Sequence, residues 1–556
     1  MSMFRLLLPS LPCALSACLY SPDLPADAVG SGGDTSSGSD ADGGSATEFP
    51  TSGGSTSSGE GDASDGEMTG ATSAATCGDG LVQQGEDCDE GLKDTPGCDS
   101  DCTLPECGDT HSNSAAGESC DDGVETSGCD ADCTLPECGD GHANLITGEL
   151  CDDGNRDGGD ACSVSCQPTE IVEMVPGRSH MCVRFQTGSV RCWGTGGMIG
   201  HGDKEARGDD LGELPTQDIL AGDGITQMCA GGSHTCVRTE SGNLRCWGQG
   251  QSGELGYGID QWVGEARGEM PSSAIDVGID INQVVCGSNH TCVRTSEDKV
   301  RCWGHPVALG YGIASPLGDE AGELPTDDVP GITDVAQIVA GSFHTCALSH
   351  NGDLYCWGRN FGGVLGHGTT VHIGDDPGEM PPTPTPLGGE VQQIVSGTDH
   401  LCALMLDGNI RCWGKNSEGQ LGYDSTEDVG DEPDEMPPKN VNIGGKAKQI
   451  AAGDRHTCAL MTTGKVRCWG SGFFGQLGYG ETDSMGTKPG DMPPDDIELG
   501  GDAVAIASRL GYFTCALLID GALRCWGYNN VGQLGYGHTN TIGDGEKPAS
   551  VGPVPF

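Results

Sequence analysis

The segment Gln337-Ile338-Val339-Ala340-Gly341-Ser342-Phe343-His344-Thr345-Cys346-Ala347-Leu348 is followed by Asn351-Gly352, Leu354-Tyr355-Cys356-Trp357-Gly358 and Gly363-Val364-Leu365-Gly366-His367-Gly368. Apolar β-formers, a tight Asn-Gly turn and more β-formers spell a hairpin preceded by one further strand. Outward from it the tripeptide Cys-Trp-Gly recurs at Trp193, Trp247, Trp303, Trp357, Trp413, Trp469 and Trp526, 54 to 57 residues apart. Seven regular repeats of that length mean a propeller or an array.

The repeated G-x-x-H-T, the N-G or D-G turn, W-G and G-Q-L-G-Y-G resemble the regulator of chromosome condensation repeat. The resemblance covers residues 169–556 and implies an all-β, seven-bladed β-propeller with four-stranded blades around a channel. Members exchange nucleotide on a small GTPase, inhibit enzymes or bind proteins, and the fold alone carries none of these functions over. Each of blades two to seven follows a linker with Pro and an apolar segment, whereas the first begins abruptly after Pro168. The expectation is therefore that the C-terminal segment Lys547 to Val554 completes the first blade.

This chain adds a cysteine pair to every blade: Cys182 and Cys192, Cys236 and Cys246, Cys292 and Cys302, Cys346 and Cys356, Cys402 and Cys412, Cys458 and Cys468, and Cys515 and Cys525. In the fourth blade Asn351 of the turn is the midpoint of the pair, so the two cysteines face one another across the hairpin and are expected to form a disulfide. Cys229 and Cys286 are left over. They sit seven and six residues before a hairpin cysteine, on opposite strand faces, which favours buried free thiols over a bond between them.

Upstream, residues 77–168 hold three units of four cysteines: Cys77, Cys88, Cys98, Cys102; Cys107, Cys120, Cys129, Cys133; and Cys138, Cys151, Cys162, Cys166. Units of about 30 residues without an apolar core need staples, and four cysteines supply two disulfides in any of three pairings. The spacing resembles the cysteine-rich repeat of secreted myxobacterial proteins. Zinc is the weaker reading, since the neighbouring carboxylates are hard ligands. In the third unit Asp153, Asn155, Asp157 and Asp160 match the opening of a calcium loop, although Val164 stands where a bidentate Glu would close it. Residues 18–76 are Gly, Ser, Thr, Asp and Ala, a composition that forms a disordered tether. Residues 1–17 read as an export signal, and Leu15-Ser16-Ala17-Cys18 resembles a bacterial lipobox, which implies an acylated Cys18 and an outer-membrane lipoprotein.

The 556 residues carry 83 Asp or Glu against 27 Lys or Arg, a formal charge of −56. Such a field repels phosphate backbones, so nucleic acid is excluded as a partner and a protein, glycan or cation at the envelope is expected. The acidic linkers place Asp319, Glu320, Asp375, Asp376, Asp431 and Glu432 on a candidate binding rim, with calcium a possible ligand. Asp209-Asp210 and Asp495-Asp496 are read as parts of the same rim. The recurring His180, His234, His290, His344, His400 and His456, replaced by Phe513 in the last blade, are expected to be hydrogen-bonded within their own blades. Arg191, Arg245, Arg301, Arg411, Arg467 and Arg524 match in number the linker residues Glu213, Glu269, Glu323, Glu379, Glu435 and Asp491, which suggests interblade ion pairs. No Ser/His/Asp set, phosphate loop or paired-carboxylate signature specifies a reaction, and a propeller enzyme is the least supported reading. The leading one is a lipid-anchored binding or scaffold protein that presents a propeller surface; the alternative is a structural spacer without a ligand.

Overall fold

The computed structural model describes residues 170–555, apart from 215–217, 220, 223, 271 and 325–326, together with scattered positions between 82 and 135. Cys18, Asp153, Asn155, Asp157 and Asp160 lie outside the described residues, as does every cysteine of the third upstream unit. Seven antiparallel sheets of three strands follow one another along the chain. The fourth blade is typical, with first strand Val335–Ala340, second His344–Ser349 and third Leu354–Gly358. The fold is an all-β propeller.

The expected fourth strand is reduced to a single hydrogen bond per blade. Ile275 N donates to Leu244 O (2.8 Å), Thr385 N to Leu354 O (2.7 Å) and Val441 N to Ile410 O (2.8 Å). This residue of each linker therefore finishes the blade before it, not the one after. The first blade has its own in Ile219, bonded to Val190 O, and Val554 N donates to Leu523 O of the seventh blade (2.8 Å). The C-terminal segment thus caps the last blade instead of completing the first, because the linker runs back along the edge of the sheet it has just left.

Neighbouring blades are joined by hydrogen bonds that recur around the ring. Trp247 Nε1 donates to Met198 O of the preceding blade (2.8 Å), and the same carbonyl accepts the Thr235 hydroxyl (2.9 Å). Thr235 Oγ1 in turn lies 2.9 Å from His180 Nε2, so with its proton committed to Met198 it accepts from an Nε2–H imidazole. The pattern repeats at His234–Thr291, His290–Thr345, His400–Thr457 and His456–Thr514. Where the fifth blade carries Leu401 in the threonine position, His344 uses Ser396 instead (2.9 Å). The histidines therefore bind the next blade, not their own as expected, since a ring standing off one sheet reaches only the sheet stacked upon it. Burial holds their imidazoles neutral: His180 falls to about 4, and His234, His344, His400 and His456 to about 3.

The ring closes by the same device across 340 residues, Trp193 Nε1 donating to Gln533 O (3.0 Å). Here the histidine and its threonine partner are replaced together, by Phe513 and Met181, both fully buried in one apolar cluster. A buried imidazole facing a methionine would lack an acceptor, so the paired replacement removes both polar groups at once.

All seven hairpin pairs are disulfides: Cys182 with Cys192, Cys236 with Cys246, Cys292 with Cys302, Cys346 with Cys356, Cys402 with Cys412, Cys458 with Cys468, and Cys515 with Cys525. In every blade the strand register sets the two cysteines directly opposite each other, with Cα atoms 4.1 Å apart in the fourth. Cys229 and Cys286 are joined as well, contrary to the free thiols expected. Face alternation within one blade does not decide the pairing of two cysteines in different blades. Adjacent blades stack face to face, so cysteines on opposite faces of equivalent first strands in blades two and three point at each other. In the separate upstream unit Cys88 bonds Cys98 and Cys120 bonds Cys129, joining the second and third cysteines of their repeats.

Candidate functional site

Structure divides the residues that charge alone had grouped. Asp319, Glu320, Asp375, Asp376, Asp431 and Glu432 occupy equivalent turns of blades three, four and five, with Glu320, Asp376 and Glu432 exposed. Each turn is held by the next linker carboxylate. Glu435 Oε2 accepts from Gly430 N (2.7 Å) and Glu432 N (3.1 Å), and Glu379 Oε2 from Gly374 N (2.7 Å) and Asp376 N (3.1 Å). Backbone N–H groups likewise hold the Glu323 carboxyl below its usual range. Partial burial and then neighbouring acids raise Asp319.

These glutamates do not pair with the arginines as expected. Arg301 Nε binds Asp328 (2.8 Å) and Arg467 Nε binds Asp496 (2.6 Å) on the capping segment of the same blade. Their Nη1 atoms donate to Val277 O (2.6 Å) and Ile443 O (2.7 Å) of the blade before. Asp496 accordingly belongs to the blade edge and not to the acidic turns. Among the described residues, the only group of three His, Cys, Asp or Glu ligand atoms lying within 4.8 Å of one another is Cys229, Cys236 and Cys286, and all three are in disulfides.

A different surface forms where each first strand turns into the second. The frame is Gly-x-x-His: Gly397 N donates to His400 O (2.7 Å), and a Cβ on Gly397 would sit 1.9 Å from His400 Cε1, so only glycine fits beneath the ring. The residue before the histidine then accepts from the backbone N–H of the residue after Trp-Gly, setting two side-chain positions beside each other in every blade. Around the ring they read Ser179 and Thr195, Ser233 and Gln249, Asn289 and His305, Phe343 and Arg359, Asp399 and Lys415, Arg455 and Ser471, and Tyr512 and Tyr528. Blades one and two present small or neutral groups. Blades four to seven present charge and aromatic rings.

In blade four the Arg359 guanidinium lies over Phe361 (3.8 Å to the centroid) and Phe343 (5.1 Å). Phe474, in the loop after the third strand of blade six, packs 5.0 Å from Tyr512 and 4.7 Å from Tyr528 of blade seven. From the seventh blade Arg509 Nη2 reaches the Cys286 carbonyl of the third (2.6 Å), and Leu510 packs on Phe343 of the fourth. The blade-seven turn thus crosses the propeller axis at this end.

Between these aromatic groups lies a cavity of about 290 Å³ lined by Phe361, Gly362, Thr398, Asp399, Lys415, Ser417, Gln420, Asp454 and Arg455. Lys415 Nζ binds Asp428 (2.8 Å) and Arg455 Nε binds Asp454 (3.3 Å), while the Thr398 hydroxyl donates to Asp454. Burial, only partly offset by Arg359, pushes Asp399 up to about 6, and burial also raises Asp454. None of these cavity residues stood out in the sequence reading. Four of them, Thr398, Asp399, Asp454 and Arg455, occupy the two variable positions of a Gly-x-x-His, where the blades differ most.

Residues 305–554 match the RCC1-like domain, and residues 225–254 and 281–307 match the regulator of chromosome condensation (RCC1) repeat. The chain is 30% identical over 391 residues to the ultraviolet-B receptor UVR8 of Arabidopsis thaliana, covering 68% of this chain and 82% of the receptor. It is 28% identical over 298 residues to the human E3 ubiquitin-protein ligase HERC2, a match that covers 52% of this chain and 6% of the ligase. Among solved structures it is similar to yeast RCC1 (Prp20) bound to Kap60, with a TM-score of 0.49, 21% identity and coverage of 68% of this chain and 85% of that one.

Proposed function

The chain belongs to the regulator of chromosome condensation repeat family, and from that premise we propose that it is a protein-binding propeller whose working surface is the Gly-x-x-His face of blades four to seven. Propellers of this family are typically interaction or regulatory modules. The observation that carries the reading is the divergence of seven equivalent side-chain pairs joined by one backbone hydrogen bond in every blade, on a Gly-x-x-His frame in blades one to six and on Leu510-Gly511-Tyr512-Phe513 in blade seven: packing needs would keep them alike, whereas contact with an asymmetric partner would not. Aromatic and arginine side chains concentrated there are the residue types that anchor interfaces. The acidic turns of Asp319, Glu320, Asp375, Asp376, Asp431 and Glu432 act in this proposal at long range, raising the association rate of a cationic partner. The ligase activity of HERC2 is left with that protein, given the small share of it that this chain matches.

In the same proposal the upstream segments deliver the propeller to the envelope: an acyl chain on Cys18, the Gly-, Ser- and Asp-rich segment to residue 76 and the cysteine-rich repeats. The test is capture by the full chain from envelope extract, since a spacer would retain nothing specific. Cys18→Ser should release the protein from membranes and abolish acyl labelling, and unchanged fractionation would remove the anchor from the proposal.

A further inference from the structure

We infer that the cavity between blades five and six seats a single basic side chain of the partner, its guanidinium or ammonium group placed on the Asp399 carboxylate. The inference rests on the protein-binding reading and specifies its chemistry. Four observations lead to it.

The Asp399 side chain is mostly buried and has no hydrogen bond or ion pair to any described residue, yet it lines an open cavity. A carboxylate withdrawn from water with no donor is costly, so the cavity favours an occupant that brings one. The other charged groups of the lining are already matched, Lys415 to Asp428 and Arg455 to Asp454, with Arg455 Nη1 4.0 Å from Glu418. An anion would therefore meet committed cations and be repelled by an uncommitted carboxylate, whereas a cation finds that carboxylate free to accept from it. Phe361, 42% accessible, already carries the protein's own Arg359 guanidinium 3.8 Å from its centroid, so the exposed remainder of the ring offers apolar contact to the stem of the incoming side chain. Finally, about 290 Å³ suits one side chain and is small for a cofactor or an extended ligand.

The partner side chain would approach through a surface field that is favourable throughout, since residues 170–556 hold 50 acidic and 24 basic residues. The charged groups facing Asp399 are Arg359, Lys415, Arg455 and Asp454. A bound cation would add to the first three and draw the Asp399 carboxyl down from about 6.

The experiment titrates the full chain with n-butylguanidinium, n-butylammonium and butyrate, following the Asp399 carboxyl by carbon NMR and heat by calorimetry. The expected result is saturable one-to-one binding of the two cations, a lowered Asp399 titration midpoint in their presence, and at least tenfold weaker binding in Asp399→Asn. Asp399→Asn keeps the shape of the side chain, and Phe361→Ala, which removes the apolar contact with the butyl stem, should weaken both cations alike; thermal unfolding confirms that both variants are folded. Asp260→Asn, at an exposed position outside the cavity and the acidic turns, should bind as the wild type does. Absence of saturable cation binding, equal binding in Asp399→Asn, or preferential binding of butyrate would overturn the inference. Capture of envelope proteins is scored separately. If proteins are captured while the cations fail to bind, only this inference falls; if the cations bind and no protein is captured, only the protein-binding reading falls.

Discussion

Two groups of carboxylates on the propeller have the same chemistry and opposite situations. In the turns of blades three to five, Glu379 and Glu435 are consumed by backbone N–H groups, and the acids beside them, Asp376 and Glu432, face solvent. At the Gly-x-x-His face, Asp399 is partly buried against a cavity with no hydrogen-bond donor of its own. Charge density alone would choose the first group as the binding surface. The difference teaches that an acid already satisfied by its own turn, or fully hydrated, has little to gain from a ligand, whereas one withdrawn from water without a partner has much.

The largest effect expected is one that should leave this contrast intact. Cys229→Ser removes a disulfide that closes 57 residues between blades two and three, and the chain-entropy relation gives a loss of about 4 kcal/mol. Calorimetric unfolding should show it, while butylguanidinium binding at blades five and six is unchanged; a parallel loss of binding in folded protein would mean the cavity depends on the whole ring.

Next in size, Asp399→Asn should be more stable than wild type at pH 7. The folded carboxyl is raised to about 6, so its favourable contribution is complete below the unfolded value near 3.8 and is lost as pH rises through 6. The variant escapes that loss, by roughly 2–3 kcal/mol at pH 7, and the gain disappears below about pH 4. A gain that persists at pH 3.5 would mean that burial of the charge is not its cause.

Glu435→Ala should have the opposite sign. It strands the N–H groups of Gly430 and Glu432 and should cost about 1 kcal/mol, with faster amide exchange confined to that turn. Smallest of all, Asp376→Asn alters an exposed group and should change stability by less than about 0.5 kcal/mol. If Glu435→Ala were neutral and Asp376→Asn destabilising, the roles assigned within the acidic turns would be reversed.

What the sequence made legible follows the range of the interactions. The hairpins, their turns and the ten-residue cysteine spacing are local, and Cys346 and Cys356 stand opposite each other as their midpoint implied. Every interblade relation was harder, because partners such as His234 and Thr291 or Cys229 and Cys286 lie 57 residues apart and meet only when sheets stack. The edge role of Val554 was hidden differently: it bonds Leu523 within one blade, through a single hydrogen bond that leaves no strand pattern in the sequence. Asp399 was hidden for another reason. In Gly-x-x-His the Gly and His are set by packing, while the chemistry that distinguishes the blades sits at the two positions between them, which carry no periodic signal.

The most direct test of the account compares partner capture by two full-length variants under identical salt. One carries Asp399→Asn with Phe361→Ala; the other neutralises Asp319, Glu320, Asp375, Asp376, Asp431 and Glu432 to Asn and Gln. The account predicts that the first lowers affinity at least tenfold, mainly through faster dissociation. The second should slow association only, by an amount that vanishes at high salt. Wild-type affinity in the cavity variant, together with lost capture in the acidic-turn variant, would contradict it and return the binding surface to the acidic turns.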